Sequence, residues 1–335
     1  MFTYIFKRIG LIIPTFIGIT LITFLIIQLA PGDPAAMKLQ GAGPGGLKSE
    51  AMAKTVIAQT RELYGLNEPL YKQYGLWLKR LVTLDFGESF KDHRPVIDKI
   101  KETLPITLTL NIISIFIIYL ISVPLGIFSA LHPRSVIDKI TTFALFVLYS
   151  LPSFWVASLL IVFLGGADYL NLFPIVGFVS DGASALPWYG WLGNVAWHLV
   201  LPVMCLTYGG FAFLSRLSRA SVLEVIRQDY IRTARAKGLP RWKVVYKHVL
   251  RNAMIPFLTL MGTLLPALLG GSVIIEQIFS IPGMGRLSFE SVLMRDYPTI
   301  MAIAAIDGVL TLVGILISDI LYVVVDPRIT FNKLD

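Results

Sequence analysis

Six long stretches with almost no charge constrain the fold of this chain more than any other feature. Five of them contain no Asp, Glu, Lys or Arg, and the sixth contains only Asp307 and Asp319. The stretches are residues 9–32, 104–131, 140–167, 182–215, 252–275 and 297–325. A helix needs about 20 mostly apolar residues to cross a bilayer. The sequence therefore predicts an all-α integral membrane protein with six transmembrane helices.

The composition excludes two other classes of protein. Apolar residues make up 55% of the chain, charged residues 15%, and the mean hydropathy is +0.72. A soluble domain carries about 25% charged residues, so these charges are too few to cover a water-soluble surface. So apolar a chain is not intrinsically disordered either. The single cysteine, Cys205, excludes an intrachain disulfide and a cysteine-cluster metal site.

The basic residues near the ends of the apolar runs predict the orientation. Lys7 and Arg8 place the N-terminus in the cytoplasm, and six spans return the C-terminus to the same side. The first run is too long for a typical signal peptide, so we predict an uncleaved helix. The predicted units are an N-terminal helix (1–32), an extracytoplasmic module (33–103), a five-helix core (104–325) and a cytoplasmic tail (326–335).

The extracytoplasmic module is small and mixed in charge, with eleven Lys or Arg and nine Asp or Glu. It opens with a Gly- and Pro-rich stretch at residues 41–46, and a helix is predicted near residues 49–64. A second helix is amphipathic, because Leu70, Tyr74, Trp77, Leu78 and Leu81 share one face. This helix is predicted to lie on the membrane or on the other spans.

The residues that would carry catalysis are missing from the sequence. There is no G-x-x-x-x-G-K-[ST] phosphate loop and no H-E-x-x-H motif, and the four histidines are scattered. We therefore expect neither an enzyme nor a metal site. Asp307 lies about ten residues inside the last apolar run, where a carboxyl is costly. It is interpreted in three ways: a packing role, a proton carrier of a secondary transporter, or a contact for the amino group of a substrate.

The basic hairpin, residues 216–251, is the strongest local signal. It holds ten Lys or Arg and two acids, so its net charge of +8 equals that of the whole chain. Gly238 and Pro240 interrupt a helical composition, which predicts two helices joined by a tight turn and projecting into the cytoplasm. That shape suits a groove of another protein. Contact with anionic lipid is the simpler alternative, and nucleic-acid binding is disfavoured because no binding motif is present.

The sequence of residues 229–239, DYIRTARAKGL, resembles the cytoplasmic signature loop of membrane subunits of ATP-binding-cassette importers. More narrowly, it is similar to the B-type permease of the dipeptide/oligopeptide/nickel group, with Arg232-Thr233-Ala234 in place of the usual Glu-Ala-Ala. Other motifs follow in family order along the chain. They are residues 30–34, 64–70, 85–89, 104–108, 150–155, 282–285, 295–298 and 326–328. Residues 173–202 also resemble the subgroup that imports microcin-like and longer peptides.

The resemblance implies a type I importer permease in a bacterial inner membrane. The cargo that it favours is a peptide, and the alternative cargo is a nickel chelate or a glutathione-like compound. It implies a homologous permease partner, an extracytoplasmic binding protein, surrounding lipid, and two ATPase subunits that hold the ATP and Mg. The residues implied for ATPase coupling are Asp229, Arg232, Thr233, Ala234, Arg235, Ala236, Lys237, Gly238 and Leu239. The candidates for the translocation pathway are Pro152, Ser153, Pro202, Pro256, Pro266 and Asp307.

Overall fold

The computed structural model describes residues 2–29, 55, 57–59, 61–62, 67–165 and 169–325, and in these the regular structure is helical. The all-α prediction is confirmed there, with one isolated antiparallel bridge between Glu88 and Pro95. The helices are α1 (Phe2–Leu29), α2 (Leu70–Val82), α3 (Val96–Leu131), α4 (Val136–Ser150), α5 (Ser153–Leu160), α6 (Trp188–Ile226), α7 (Asp229–Ala236), α8 (Arg241–Lys243), α9 (Leu250–Ala253), α10 (Ile255–Gly270), α11 (Val273–Ile278), α12 (Met284–Leu293) and α13 (Tyr297–Val325). Two π-helical stretches, Ile161–Gly165 and Val244–Val249, extend α5 and join α8 to α9.

Four helices in the described part of the chain are long and apolar enough to cross a membrane. They lie within α1, α3, α6 and α13. A fifth span is possible if α4 and α5 are counted together, although they meet at an angle of 95°. The predicted count of six is therefore not confirmed. α10, in the fifth apolar run, has 16 residues, and its length of about 24 Å falls short of a hydrocarbon core of about 30 Å.

Proline and glycine divide two of the apolar runs. Pro152 follows Leu151, whose extended backbone (φ −84°, ψ 126°) ends α4 because a residue before proline is pushed out of the helical region. Gly271 adopts a φ of +65° and ends α10 before α11 begins. Each of these two apolar runs, predicted from the sequence to be one span, is therefore divided into two helices in the fold.

The centre of the molecule is the packing of α3 against α6. Small residues allow the two helices to approach closely: a Cβ on Gly126 would lie 2.5 Å from the Ser215 carbonyl oxygen. Leu110, Leu199 and Leu201 belong to the buried apolar cluster between these helices. α3 begins at Val96, so the predicted boundary at residue 103 falls inside this helix.

The amphipathic helix α2 forms as predicted and lies on α1. The Tyr74 and Trp77 rings stand 5.5 and 6.1 Å from the ring of Phe24. Gln28 Nε2 donates a hydrogen bond of 2.6 Å to Gln73 Oε1. The structure thus shows α2 packed on a span, one of the two placements expected from its sequence. The described residues between 55 and 62 are also helical, and the Gly- and Pro-rich stretch at 41–46 lies outside the described residues.

Candidate functional site

The basic hairpin is an extension of α6 that turns back towards α10. α6 has 39 residues and is about 58 Å long, which exceeds a bilayer core by about 28 Å. It ends at Ile226, and α7 crosses over before the chain returns through α8 and α9. The predicted pair of helices with a tight turn is therefore present, although a π-helical stretch interrupts the second of them.

The tight turn depends on Gly238. α7 ends at Ala236, and Gly238 takes a φ of +73°, the left-handed conformation common just past helix ends. Its N–H donates to the Arg235 carbonyl at 2.9 Å. A Cβ at this position would meet no other atom within 4 Å. Glycine is therefore favoured here by the backbone conformation and not by lack of space.

The hairpin has an apolar core of its own that holds α7 in place. Ile231 and Ala234 of α7 are buried against Val222, Val244 and Val249, and Leu239 packs on the edge of this cluster. Ala130, at the end of α3, belongs to the same cluster. Ala234, one of the residues implied for ATPase coupling, faces the hairpin's own core in this structure.

The opposite face of α7 and the turn after it form an exposed surface, which we call the coupling surface after the ATPase-coupling role predicted for its residues. Its members are Asp229, Arg232, Thr233, Arg235, Ala236, Lys237 and Gly238. Arg232 Nη1 lies 3.3 Å from Asp229 Oδ1, and both side chains are well exposed, so the pair adds little stability. The surface is basic, and its backbone is fixed from behind by the buried residues.

The predicted pathway residues are spread over three parts of the fold. Pro152 is exposed at the 95° break, and Ser153 opens α5 beside it. Pro202 is buried in the interior of α6. Pro256 and Pro266 both belong to α10, but Pro256 occupies the first turn, where a missing N–H requires no kink. The role of these residues in a pathway remains a prediction.

Asp307 lies in the middle of α13 and is half-buried. α13 packs against α1 and α10, and Gly308, the next residue, approaches Ile19 of α1 closely enough that a Cβ would lie 3.2 Å from it. Asp307 and the predicted prolines do not form one cluster with the coupling surface. The three interpretations of Asp307 therefore remain open.

A buried carboxylate that sequence reasoning missed lies where α3 meets α11 and α12. Glu276 is 0% exposed and accepts hydrogen bonds from the Arg286 N–H (2.8 Å), the Ser272 N–H (3.3 Å) and the Thr107 hydroxyl (3.2 Å). The first N–H groups of α12 have no acceptor within the helix, and they favour a negative charge at this end. A Cβ on Gly283 would lie 2.5 Å from Glu276 Oε2. This glycine leaves room for the carboxylate.

A second buried carboxylate joins the segment before α3 to the start of α13. Asp296 is 1% exposed and accepts hydrogen bonds from the Ser89 hydroxyl (2.6 Å), the Phe90 N–H (2.8 Å) and the Thr299 hydroxyl (2.6 Å). The Lys99 ammonium lies 3.8 Å from Asp296 Oδ2 and 3.0 Å from Asp92 Oδ2. One ammonium thus serves two carboxylates, and the buried Asp296 depends mainly on its three hydrogen-bond donors.

The sequence did contain a signal for these two sites. Thr107, Gly283, Ser89 and Asp296 all lie in the short motifs that carried the family resemblance, and the fold brings those motifs together in pairs. The motifs carried the resemblance, but no single motif shows that these residues meet. Among the described residues, no three His, Cys, Asp or Glu side chains are placed to hold a metal ion.

Comparison with known sequences gives matches over the whole chain. Residues 122–331 match the family described as binding-protein-dependent transport system inner membrane component, and residues 1–111 match the N-terminal family of the same transport systems. The oligopeptide transport system permease protein AppB of Bacillus subtilis is 41% identical, over 99% of this chain and 100% of that protein. The dipeptide transport system permease protein DppB of Escherichia coli K12 is 34% identical over the same shares. The inner membrane ABC transporter permease protein YejB of Escherichia coli O157:H7 is 37% identical, again over 99% and 100%.

Proposed function

Because the chain belongs to the family of binding-protein-dependent transport system inner membrane components, we propose that it forms half of the translocation pathway of an ATP-driven peptide importer. It is a multi-pass inner membrane permease subunit and not itself a catalyst. Relatives named for oligopeptide and dipeptide transport, at 41% and 34% identity over full length, support peptides as the cargo.

The coupling surface is the part of this chain that we assign to the ATPase subunits. The single observation that carries the assignment is that α7 is fixed from behind by Ile231 and Ala234 while its basic side faces outwards. A rigid helix can transmit displacement to α6 and α10, whereas a mobile loop would absorb it. Arg232, Arg235 and Lys237 would add salt-dependent attraction to an acidic groove.

The remaining partners follow from the same proposal. A homologous permease would complete the pathway, two ATPase subunits would hold ATP and Mg on the cytoplasmic side, and a binding protein would deliver the peptide outside. Both termini would then be cytoplasmic. We expect the binding protein to contact the extracytoplasmic module, the segment 169–197 and α12, because these lie at the opposite ends of the spans from the basic hairpin.

Charge reversal on the coupling surface tests the assignment. In the transporter reconstituted from all its subunits, Arg232→Glu combined with Arg235→Glu should lower copurification of the ATPase subunits and abolish ATP-dependent peptide uptake. Lys247→Glu is the matched control, because Lys247 is an exposed base of the same hairpin outside the coupling surface. Equal loss in the control, or full uptake by the double variant, would contradict the assignment.

A secondary transporter that uses Asp307 as a proton carrier is the alternative of another class. Uptake into sealed vesicles separates the two, because an ATP-driven importer needs ATP inside the vesicle and a proton-coupled carrier needs only a pH gradient. Uptake without ATP that is lost in Asp307→Asn would favour the alternative. Within the importer class, binding of a peptide panel, nickel chelates and glutathione to the partner binding protein would identify the cargo.

A further inference from the structure

The ion pair between Asp138 and Arg219, at the base of the basic hairpin, uses only one carboxylate oxygen and one guanidinium nitrogen. Asp138, in the first turn of α4, accepts a hydrogen bond from the Arg134 N–H at 3.0 Å. The same oxygen, Oδ2, lies 3.2 Å from Nη2 of Arg219, seven residues before the end of α6. The Asp138 side chain is 6% exposed, so the pair is well shielded from water on the acidic side.

The other half of the pair is buried and unsatisfied. Asp138 Oδ1 and Arg219 Nε are both inaccessible and make no hydrogen bond of good geometry, although the Ser129 side chain interacts with the carboxylate. Arginine and carboxylate commonly pair through two parallel bonds, and the side-on form uses Nε and Nη2 against the two oxygens. The two unpaired atoms are therefore the missing second arm of such a pair. Buried polar atoms without partners are costly, so a state that joins them is favoured.

One turn before Arg219, the contact between α3 and α6 holds further polar groups without partners. The Ser122 and Ser215 hydroxyls are buried without a partner on the two helices, and Gly126 faces Ser215 across the contact. The α3–α4 connection also holds the returning limb of the hairpin, because Arg241 Nη2 donates to the Leu131 carbonyl at 3.2 Å. The two limbs of the hairpin are thus tied to the end of α3 and the start of α4, on either side of the short connection between them.

We propose that Asp138 and Arg219 are positioning residues for ATP coupling, and that their second hydrogen bond forms when the ATPase subunits displace the basic hairpin. The inference rests on the proposed function. In the state described here one arm holds α6 to the α3–α4 connection. In the displaced state both arms would hold it, and the extra bond would stabilise that state by population shift.

Arg219→Lys tests the second arm without removing the charge. A lysine ammonium can keep the single contact with Oδ2, but it cannot make the planar two-bond pair. If one charge-assisted hydrogen bond is lost in only one of the two states, the ratio of the populations of these states shifts at least about tenfold. We therefore expect Arg219→Lys to lower binding-protein-stimulated ATP hydrolysis and peptide uptake about tenfold, while the ATPase subunits still copurify.

Arg216→Lys is the matched control, since Arg216 is an exposed base one turn earlier on α6 that contacts the face of Phe146. It should couple normally. Spin labels at Lys139→Cys and Lys247→Cys, both exposed positions, supply a second measurement that does not depend on transport. Their separation should change on trapping ATP in the parent protein and change less with Arg219→Lys.

The outcomes separate the inference from the function on which it rests. If the parent transporter takes up peptide without ATP, the proposed function fails whatever the variants do. If the parent is ATP-driven and Arg219→Lys couples as well as the parent, a single contact is enough and the positioning role is refuted. If Arg219→Lys and Arg216→Lys lose coupling equally, the effect is not specific to the pair and the inference also fails.

Discussion

Gly283→Ala tests whether the buried Glu276 carboxylate sets the close packing of α3, α11 and α12. The added methyl group would lie 2.5 Å from Glu276 Oε2 and 2.5 Å from Thr107 Oγ1, well inside contact distance. Both side chains are 0% exposed and cannot swing into solvent. The backbone at Gly283 is extended (φ −104°, ψ −179°), so alanine is not strained there and the effect is purely steric.

The size of the effect follows from the contacts. Moving the carboxylate weakens its bonds from the Arg286 N–H, the Ser272 N–H and Thr107, and a hydrogen bond to a charged group contributes about 1.5–3 kcal/mol. Inserting a methyl group into a packed interior without breaking such bonds costs about 1–3 kcal/mol. Since one or two of the three bonds should be lost, we expect Gly283→Ala to lower the free energy of unfolding by at least about 3 kcal/mol. The midpoint of thermal unfolding should then fall by about 6 °C or more.

Thermal unfolding of the detergent-solubilised protein, followed by fluorescence-detected size exclusion, measures this change. Gly193→Ala is the control, because its Cβ would meet no atom within 4 Å inside helix α6 and should leave stability equal or slightly higher. In a background of Thr107→Ala and Glu276→Ala, Gly283→Ala should cost less than about 1 kcal/mol, since both crowded groups are gone. If Gly283→Ala and Gly193→Ala melt at the same temperature, the proposed crowding is absent and the reasoning is refuted.

Three further predictions concern other parts of the molecule. A hydrogen bond from the Lys91 ammonium holds the pKa of Glu290 below its ordinary value of 4.5. The stability that the ionised Glu290 contributes is therefore present above pH 4.5 and is lost as the pH falls through the lowered pKa. Glu290→Gln should accordingly lose less thermal stability than the parent protein on acidification below pH 4.5. Trp77→Ala should loosen α2 from α1 and raise its cleavage by protease, whereas Tyr71→Ala, on the exposed side of α2, should not; equal cleavage of both would contradict the packing. Gly238→Arg should leave the protein in the membrane but abolish uptake and substrate-stimulated ATP hydrolysis. The φ of +73° at this position favours glycine, so arginine would distort the turn of the coupling surface. Normal uptake by this variant would argue against coupling there.

Local patterns in the sequence predicted several elements well. The spacing of Tyr74 and Trp77 predicted an amphipathic helix, and α2 covers Leu70–Val82. Gly238 and Pro240 predicted a turn, and the chain turns there. These features depend on interactions between residues a few positions apart, so a single sequence contains the information that fixes them.

The count of spans was predicted less well for the same reason. An apolar run shows that a segment avoids water, but it does not show whether the segment is one straight helix. The 95° break at Pro152 and the end of α10 at Gly271 divide runs that are continuous in hydropathy. Whether a proline or glycine bends a helix or ends it depends on the neighbours that receive the freed backbone groups.

The sequence by itself determined that this chain is helical, apolar in long runs and basic in one hairpin, because those properties are sums over neighbouring residues. Only the tertiary structure decided that Ala234 faces inwards and that Glu276 and Asp296 are buried. The partners of these two carboxylates lie far away in the chain: Thr107 is 169 residues from Glu276, and Ser89 is 207 residues from Asp296. A charge enters an apolar interior only when such distant donors surround it, and no local pattern encodes that meeting.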